Sequence, residues 1–154
     1  MPSTAKDYFN LMAKPTVEDF INNPHDLRRG LLSALILNHM VDHLAQEDEI
    51  ATERCIMNKR VNFKRREMLN DCPDFQLIWD IADATKHAKL ANQKRKVSAS
   101  SQISSTPGLF YAPFGEGTFG EAVVVFAVLE DGEEKPLLPV IKSAFEALQS
   151  KVIT

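Results

Sequence analysis

The run LLSALIL at 31–37 lies inside a segment, residues 25–47, that reads as a helix and is apolar almost all the way round. At about 100° per residue, Leu27, Leu31, Ala34, Asn38, Val41 and Ala45 share one face. Leu37 and Leu44 widen that arc, and Leu32 and Ile36 fall on the far side. Leaving such leucines in water forfeits roughly 1.5–3 kcal/mol for each side chain, so a helix of this kind has to be surrounded by other elements. The sequence therefore predicts a bundle with this rod at its centre. A chain of 154 residues, 44% apolar and 25% charged, is long enough to bury one core and has an ordinary globular composition.

The natural partner of the rod is DFQLIWDIADATKHAKLAN, residues 74–92, read as a second long helix. Pro73 sits where a first-turn proline is tolerated, and Asp71 and Asp74 suit the positive end of the dipole. Phe75, Ile78, Ile81, Ala82 and Thr85 form the predicted buried stripe, which leaves Asp80, Asp83 and His87 facing the other way. Asp83 and His87 are four apart, so the spacing predicts a pair in which the carboxylate fixes the imidazole tautomer and raises its pKa. Between the two rods, residues 49–70 read as a charged helix carrying Arg54, Lys59, Arg60, Lys64, Arg65 and Arg66. Ahead of them a helix over 4–14 is predicted to stop before Pro15. Thr16 is placed as the N-cap of a short helix ended by Pro24, and Asn22 or Asn23 as the cap of the central rod.

After Asn92 the period changes. Val97, Ala99, Ser101 and Ile103 alternate, which suits an edge strand or a linker equally. LFYAPFGEGTFG, residues 109–120, reads as an aromatic, glycine-rich loop. Its GEGTFG matches G-x-G-x-x-G, but a dinucleotide-binding loop needs a helix after it and a strand follows here. Residues 121–130 give a strand, Asp131-Gly132 a two-residue hairpin turn, 133–137 the return, and Pro139 opens a helix over 140–152. The fold class is thus mainly α: an up-and-down helical bundle with a small C-terminal β-hairpin and a closing helix. The expected organisation is a single domain, 1–154, with its bundle core at 24–92, a polar and glycine-rich loop at 93–120, and the hairpin plus helix at 121–152.

Charge is unevenly spread. Residues 1–53 carry 4 basic and 9 acidic groups, residues 54–96 carry 11 and 5, and residues 108–154 carry 3 and 7. A basic middle between acidic ends suits either an RNA-facing patch, with Arg60, Lys64, Arg65 and Arg66 as its candidates, or internal pairing. Cys55 and Cys72 form no metal-binding spacing and suit a reducing compartment. No apolar run reaches spanning length and the N-terminus lacks a signal-like core, so the expectation is a cytoplasmic protein with no membrane partner.

His39 and His43 lie i,i+4 on the central helix with Glu47 a turn further. With His87 from the neighbouring rod they are the candidate ligands of a divalent metal. No other cofactor is predicted. No serine nucleophile elbow is present.

The octet Asp80-Ile81-Ala82-Asp83-Ala84-Thr85-Lys86-His87 resembles the D-x-A-N-A-x-K-H helix of uncharacterised bacterial and phage proteins. In those proteins, as here with VVFAVLEDG at 124–132, a small β unit follows. Asn38, His39, Asp42 and His43 fit the same pattern in the central helix. The layout is similar to the HEPN superfamily of helical bundles. That resemblance implies a homodimer with a protein or RNA partner, and it implies that Asp83, Lys86 and His87 form the site. HEPN ribonucleases carry an arginine and a histidine on one helix with four to six residues between them. Asp80, Ile81 and Ala82 stand at those positions, so the resemblance implies a non-catalytic module. In that reading Asp83, Lys86 and His87 knot the long helix to the β unit. The alternative is a diverged ribonuclease or metal-dependent hydrolase using His87 and Asp83 with His39 and His43.

Overall fold

A computed structural model describes residues 3–47, 54–90, 95–106 and 124–153. The GEGTFG run at 115–120 lies outside them. The order of elements is α1 (Ala5–Tyr8), a π-helical turn (Phe9–Ala13), α2 (Lys14–Asn22), α3 (Leu27–Glu47), α4 (Arg54–Asp71) and α5 (Phe75–His87), then a 3-10 turn (Ser100–Gln102), β1 (Ile103–Ser105), β2 (Val125–Val128), β3 (Glu134–Pro136) and α6 (Leu137–Ile153). The chain is mainly helical with a small antiparallel sheet and a closing helix, as the sequence predicts.

The apolar rod is the centre. α2, α4, α5 and α6 all pack along α3. Its Ala34, Leu37, Met40, Val41 and Ala45 are buried, together with Phe20 from α2, Phe75, Ile78 and Ile81 from α5, and Ile141 and Leu148 from α6. Gly30 sits where α3 meets Phe20 and Leu137, and a methyl group added there would lie 3.0 Å from Leu137 Cδ2 and 3.2 Å from Phe20 Cε2.

Three local expectations are corrected. Pro15 does not stop the first helix. Lys14 donates its amide to the Phe9 carbonyl five residues back, and this widened turn places Pro15 in the first turn of α2, where its missing N–H costs nothing. Thr16 is therefore inside a helix, not capping one, and its carbonyl accepts from Ser33 Oγ at 3.3 Å. The cap of α3 is Asp26, whose Oδ1 accepts the Arg29 amide at 3.1 Å, and not Asn22 or Asn23.

The sheet has the order β1-β2-β3, so a third strand precedes the hairpin, inside the 93–120 loop region and beginning at the last residue of the 97–103 alternation that suited an edge strand or a linker. Ile103 faces Ala127, and Ala127 faces Lys135. The hairpin loop is longer than the two residues expected. The Leu129 amide bonds the Glu133 carbonyl at 2.8 Å and the Gly132 amide bonds the Leu129 carbonyl at 2.9 Å, which encloses residues 130–132. Gly132 takes φ +85, the left-handed conformation such a three-residue loop needs at its last position. No helix of the described residues is long and apolar enough to cross a membrane.

Candidate functional site

α5 ends sooner than its sequence suggests. His87 is its last residue, and Ala88 adopts φ 61, ψ -39, which turns the chain out of the helix. The following residues fold back. Lys89 bridges Ala99, the Leu90 amide donates to the Ser98 carbonyl at 2.6 Å, and the Ser100 amide donates to the Ala88 carbonyl at 3.0 Å. The return limb lies against α5 and meets Asp80 there.

Asp80 is corrected from the solvent face to the interior: it is fully buried. Its carboxylate accepts from Arg95 Nη1 at 2.9 Å, from the Lys96 amide at 2.7 Å and from Gln76 Nε2 at 2.8 Å. Three donors, one of them charged, are what a buried carboxylate requires, since an unpaired one would cost several kcal/mol. Arg95 also holds Asp83, at 2.8 Å. Burial pulls the Arg95 pKa down, and the hydrogen bonds to Asp80 and Asp83 more than offset it, leaving the guanidinium above its ordinary value.

The network extends across the bundle. The Arg95 guanidinium carbon lies 5.4 Å from the centroid of the Trp79 ring, and that of Arg65 lies 4.8 Å from it. Arg65 also pairs with Asp42 at 3.5 Å. Asp42 on α3, Arg65 on α4, Trp79 on α5 and Arg95 on the return limb thus form one polar spine. Gln102 continues the tie to the sheet. Its Oε1 accepts the Ser98 and Ala99 amides, each at 2.8 Å, and its Nε2 donates to the Val128 carbonyl at 3.0 Å.

Against this frame the predicted site residues separate. Asp83 pairs with Arg95 and not with His87, because the return limb supplies a guanidinium that the helix-only reading lacks. Lys86 and His87 are exposed, and neither has a side-chain partner among the described residues. The proposed knot of Asp83, Lys86 and His87 therefore does not join the helix to the sheet. Asp80, Arg95 and Gln102 make that connection. His39 is exposed, while His43 is half-buried and stacks on Tyr8 with ring centroids 3.9 Å apart. Burial lowers the His43 pKa, with Asp42 pulling it back up, His39 lowering it further and Glu47 raising it. Glu47 is engaged elsewhere, accepting the Ala5 amide at 2.6 Å. Among the described residues no three His, Cys, Asp or Glu side chains converge on a point that could hold a metal. Of the basic candidates on α4, Arg65 is turned inward to Asp42 and Trp79, Lys64 pairs with Glu67 at 3.3 Å, Arg60 is half-buried, and Arg66 alone of the four is exposed.

Among the described residues two concavities bear on function. A cavity of about 300 Å³ is lined by Val41, Leu44 and Met68 together with the charged residues Glu47, Lys64, Glu67 and Lys151. Lys151 there pairs with both Glu67 and Asp71, so its charge is already answered. The other is an open, apolar groove of about 420 Å³ between the start of α3 and the end of α5. Leu27, Leu31, Leu32 and Leu35 line it, with Arg28 and Thr85 at its sides. Leu32 is 40% exposed, and Thr85 Oγ1 is buried without a hydrogen-bond partner among the described residues. The groove runs along the edge of the rod's apolar face, from Leu27 and Leu31 round to Leu32. The sequence signal for it was present: a helix apolar all round exposes leucine wherever its neighbours stop short. No family model, no curated protein and no solved structure matches the chain.

Proposed function

We propose that the chain is a non-catalytic interaction module on a HEPN-like helical bundle, and that its working surface is the leucine groove of α3. The observation that carries this reading is the groove itself, four leucines lining an open trough of about 420 Å³. Contiguous exposed apolar surface of this kind marks docking sites more often than chemistry. Among the described residues the polar groups of the alternative reading do not converge on a metal site. Asp80 and Asp83 are held by Arg95, His87 stands exposed with no partner among the described residues, and His43, named with His39 and His87 in the alternative, stacks on Tyr8.

The test uses an apolar fluorescent probe, anilinonaphthalene sulfonate, on the native protein. The wild type is expected to bind it in its folded state and Leu32→Glu to lose that signal while keeping its helical circular dichroism. Alongside, His87→Ala is expected to melt within a degree or two of wild type. A divalent-metal-dependent or metal-independent RNA cleavage that survives repurification and disappears in His87→Ala would overturn the reading.

A further inference from the structure

We propose that the groove of α3 receives an acidic amphipathic helix of a partner protein. The inference rests on the interaction-module reading and adds the chemistry of the partner.

The shape comes first. Leu27, Leu31 and Leu35 are four apart on α3, and Leu32 widens their row. From Leu27 to Leu35 such a row runs about 12 Å, at about 1.5 Å per residue. That matches two turns of a helix presenting anchors at i, i+3 or i+4, and i+7. Thr85 forms part of the opposite wall, so the trough has two sides, one from each rod.

Charge selects the occupant. Arg28 lines the groove directly. Lys86 and Lys89 follow Thr85 within a turn, as the chain leaves α5. All three cations are exposed; Arg28 also acts on the Asp26 carboxylate, while Lys86 and Lys89 have no side-chain partner among the described residues. Arg29, one residue on, is by contrast spent on Asp19 and Asp26. One exposed cation, Arg28, therefore lines the apolar groove, and Lys86 directly follows its lining residue Thr85 in the chain. A partner with glutamates or aspartates flanking its apolar face satisfies both features at once. A second copy of this chain does not: a two-fold contact would set the same cations against themselves, and like charges facing each other across an interface are unfavourable.

The groove is short, so the complex belongs with small, transient interfaces. Steering by these cations should make it salt-dependent, because exposed charges are screened beyond about 10 Å at 0.1 M ionic strength.

Fluorescence anisotropy with two synthetic helical peptides tests this. Both carry the same leucine face, one flanked by glutamates and the other by lysines. The glutamate peptide is expected to bind the wild type at least tenfold tighter than the lysine peptide. Its binding should weaken severalfold from 50 to 300 mM salt and at least tenfold in Leu32→Glu. Arg28→Glu combined with Lys89→Glu, two exposed positions that leave the core intact, should reverse the preference. Equal binding of the two peptides overturns the proposal. So does binding of neither while the groove still takes the apolar probe, which would leave the interaction module standing without its acidic partner. Loss of the probe signal as well would remove both readings. A concentration-dependent dimer that Leu32→Glu dissolves would make the occupant a second copy, and would equally overturn the acidic partner.

Discussion

Arg95 and Asp80, fifteen residues apart, meet inside the protein with Nη1 2.9 Å from Oδ1, the carboxylate fully buried and the arginine side chain 19% exposed. This contact fastens the limb that leads into the sheet onto the helix that precedes it. Removing one partner of a buried pair leaves the other desolvated and is strongly destabilising, typically by about 3–5 kcal/mol. Arg95 retains Asp83, so Asp80→Ala is expected to cost somewhat less, about 2–4 kcal/mol, part of it from the stranded Lys96 amide. Asp83→Ala removes a carboxylate that is 23% exposed and is expected to cost about 1 kcal/mol. Urea unfolding of the two variants measures the contrast. Equal losses would mean that the buried contact is not what holds the limb.

That contact also shows what the sequence could and could not disclose. The apolar rod, its neighbours and the closing strand and helix follow from periodicity, because burial of leucine and isoleucine is a local demand visible in a window of residues. The inward position of Asp80 was partly legible as well. Leu77 and Ala84, three before and four after it, are buried on the same side, and a stripe drawn through them would have enclosed Asp80. Arg95 as its partner was not legible. The limb bends back through Ala88, whose left-handed φ no residue type announces, and the meeting of 80 with 95 depends on that bend. The i,i+4 rule offered His87 to Asp83 because it counts only neighbours on one helix. A guanidinium from another segment binds the carboxylate instead.

His43 gives the fold a sensitivity to acid. Burial, against the opposing pull of Asp42, holds its pKa below the ordinary 6.5, so the folded protein favours the neutral imidazole stacked on Tyr8. Below 6.5 the unfolded chain takes up this proton before the folded one does. Stability from this group is therefore fully present above 6.5 and is lost as the pH falls from there through the lower folded pKa. His43→Phe keeps a ring against Tyr8 and removes the titration. Its melting temperature is expected to fall less than that of the wild type between pH 7 and pH 5. Parallel curves for the two proteins would place the acid sensitivity elsewhere.

Gln102 is not expected to tolerate replacement by glutamate. Its Nε2 donates to the Val128 carbonyl at 3.0 Å and to Glu130 Oε1 at 3.1 Å, while its Oε1 takes the Ser98 and Ala99 amides. Gln102→Glu preserves the acceptor but loses both donations and sets a second carboxylate beside Glu130. The variant should melt several degrees below wild type at pH 7 and recover part of the difference at about pH 4, close to where an ordinary glutamate takes up a proton. A melting temperature unchanged at both values would show that the amide contributes nothing to holding the limb on the sheet.

Gly30 tests how closely the rod is packed. In an open helix, glycine to alanine is stabilising by about 1 kcal/mol, because the backbone entropy lost on folding is smaller. Here the new methyl group would lie 3.0 Å from Leu137 Cδ2 and 3.2 Å from both Phe20 Cε2 and Phe20 Cζ. Both neighbours are fully buried, so neither can swing into solvent to make room. Overpacking a core in this way costs about 1–3 kcal/mol. The crowding outweighs the helical gain, and Gly30→Ala is expected to be destabilised by about 1 kcal/mol net. Leu137→Val shortens the side chain that makes the closest approach. Combined with Gly30→Ala it should cost less than the two single losses added together, a favourable coupling of about 0.5 kcal/mol or more. Additive losses in urea unfolding would mean that α3 and α6 separate to admit the methyl group, and that the glycine is not what sets their distance.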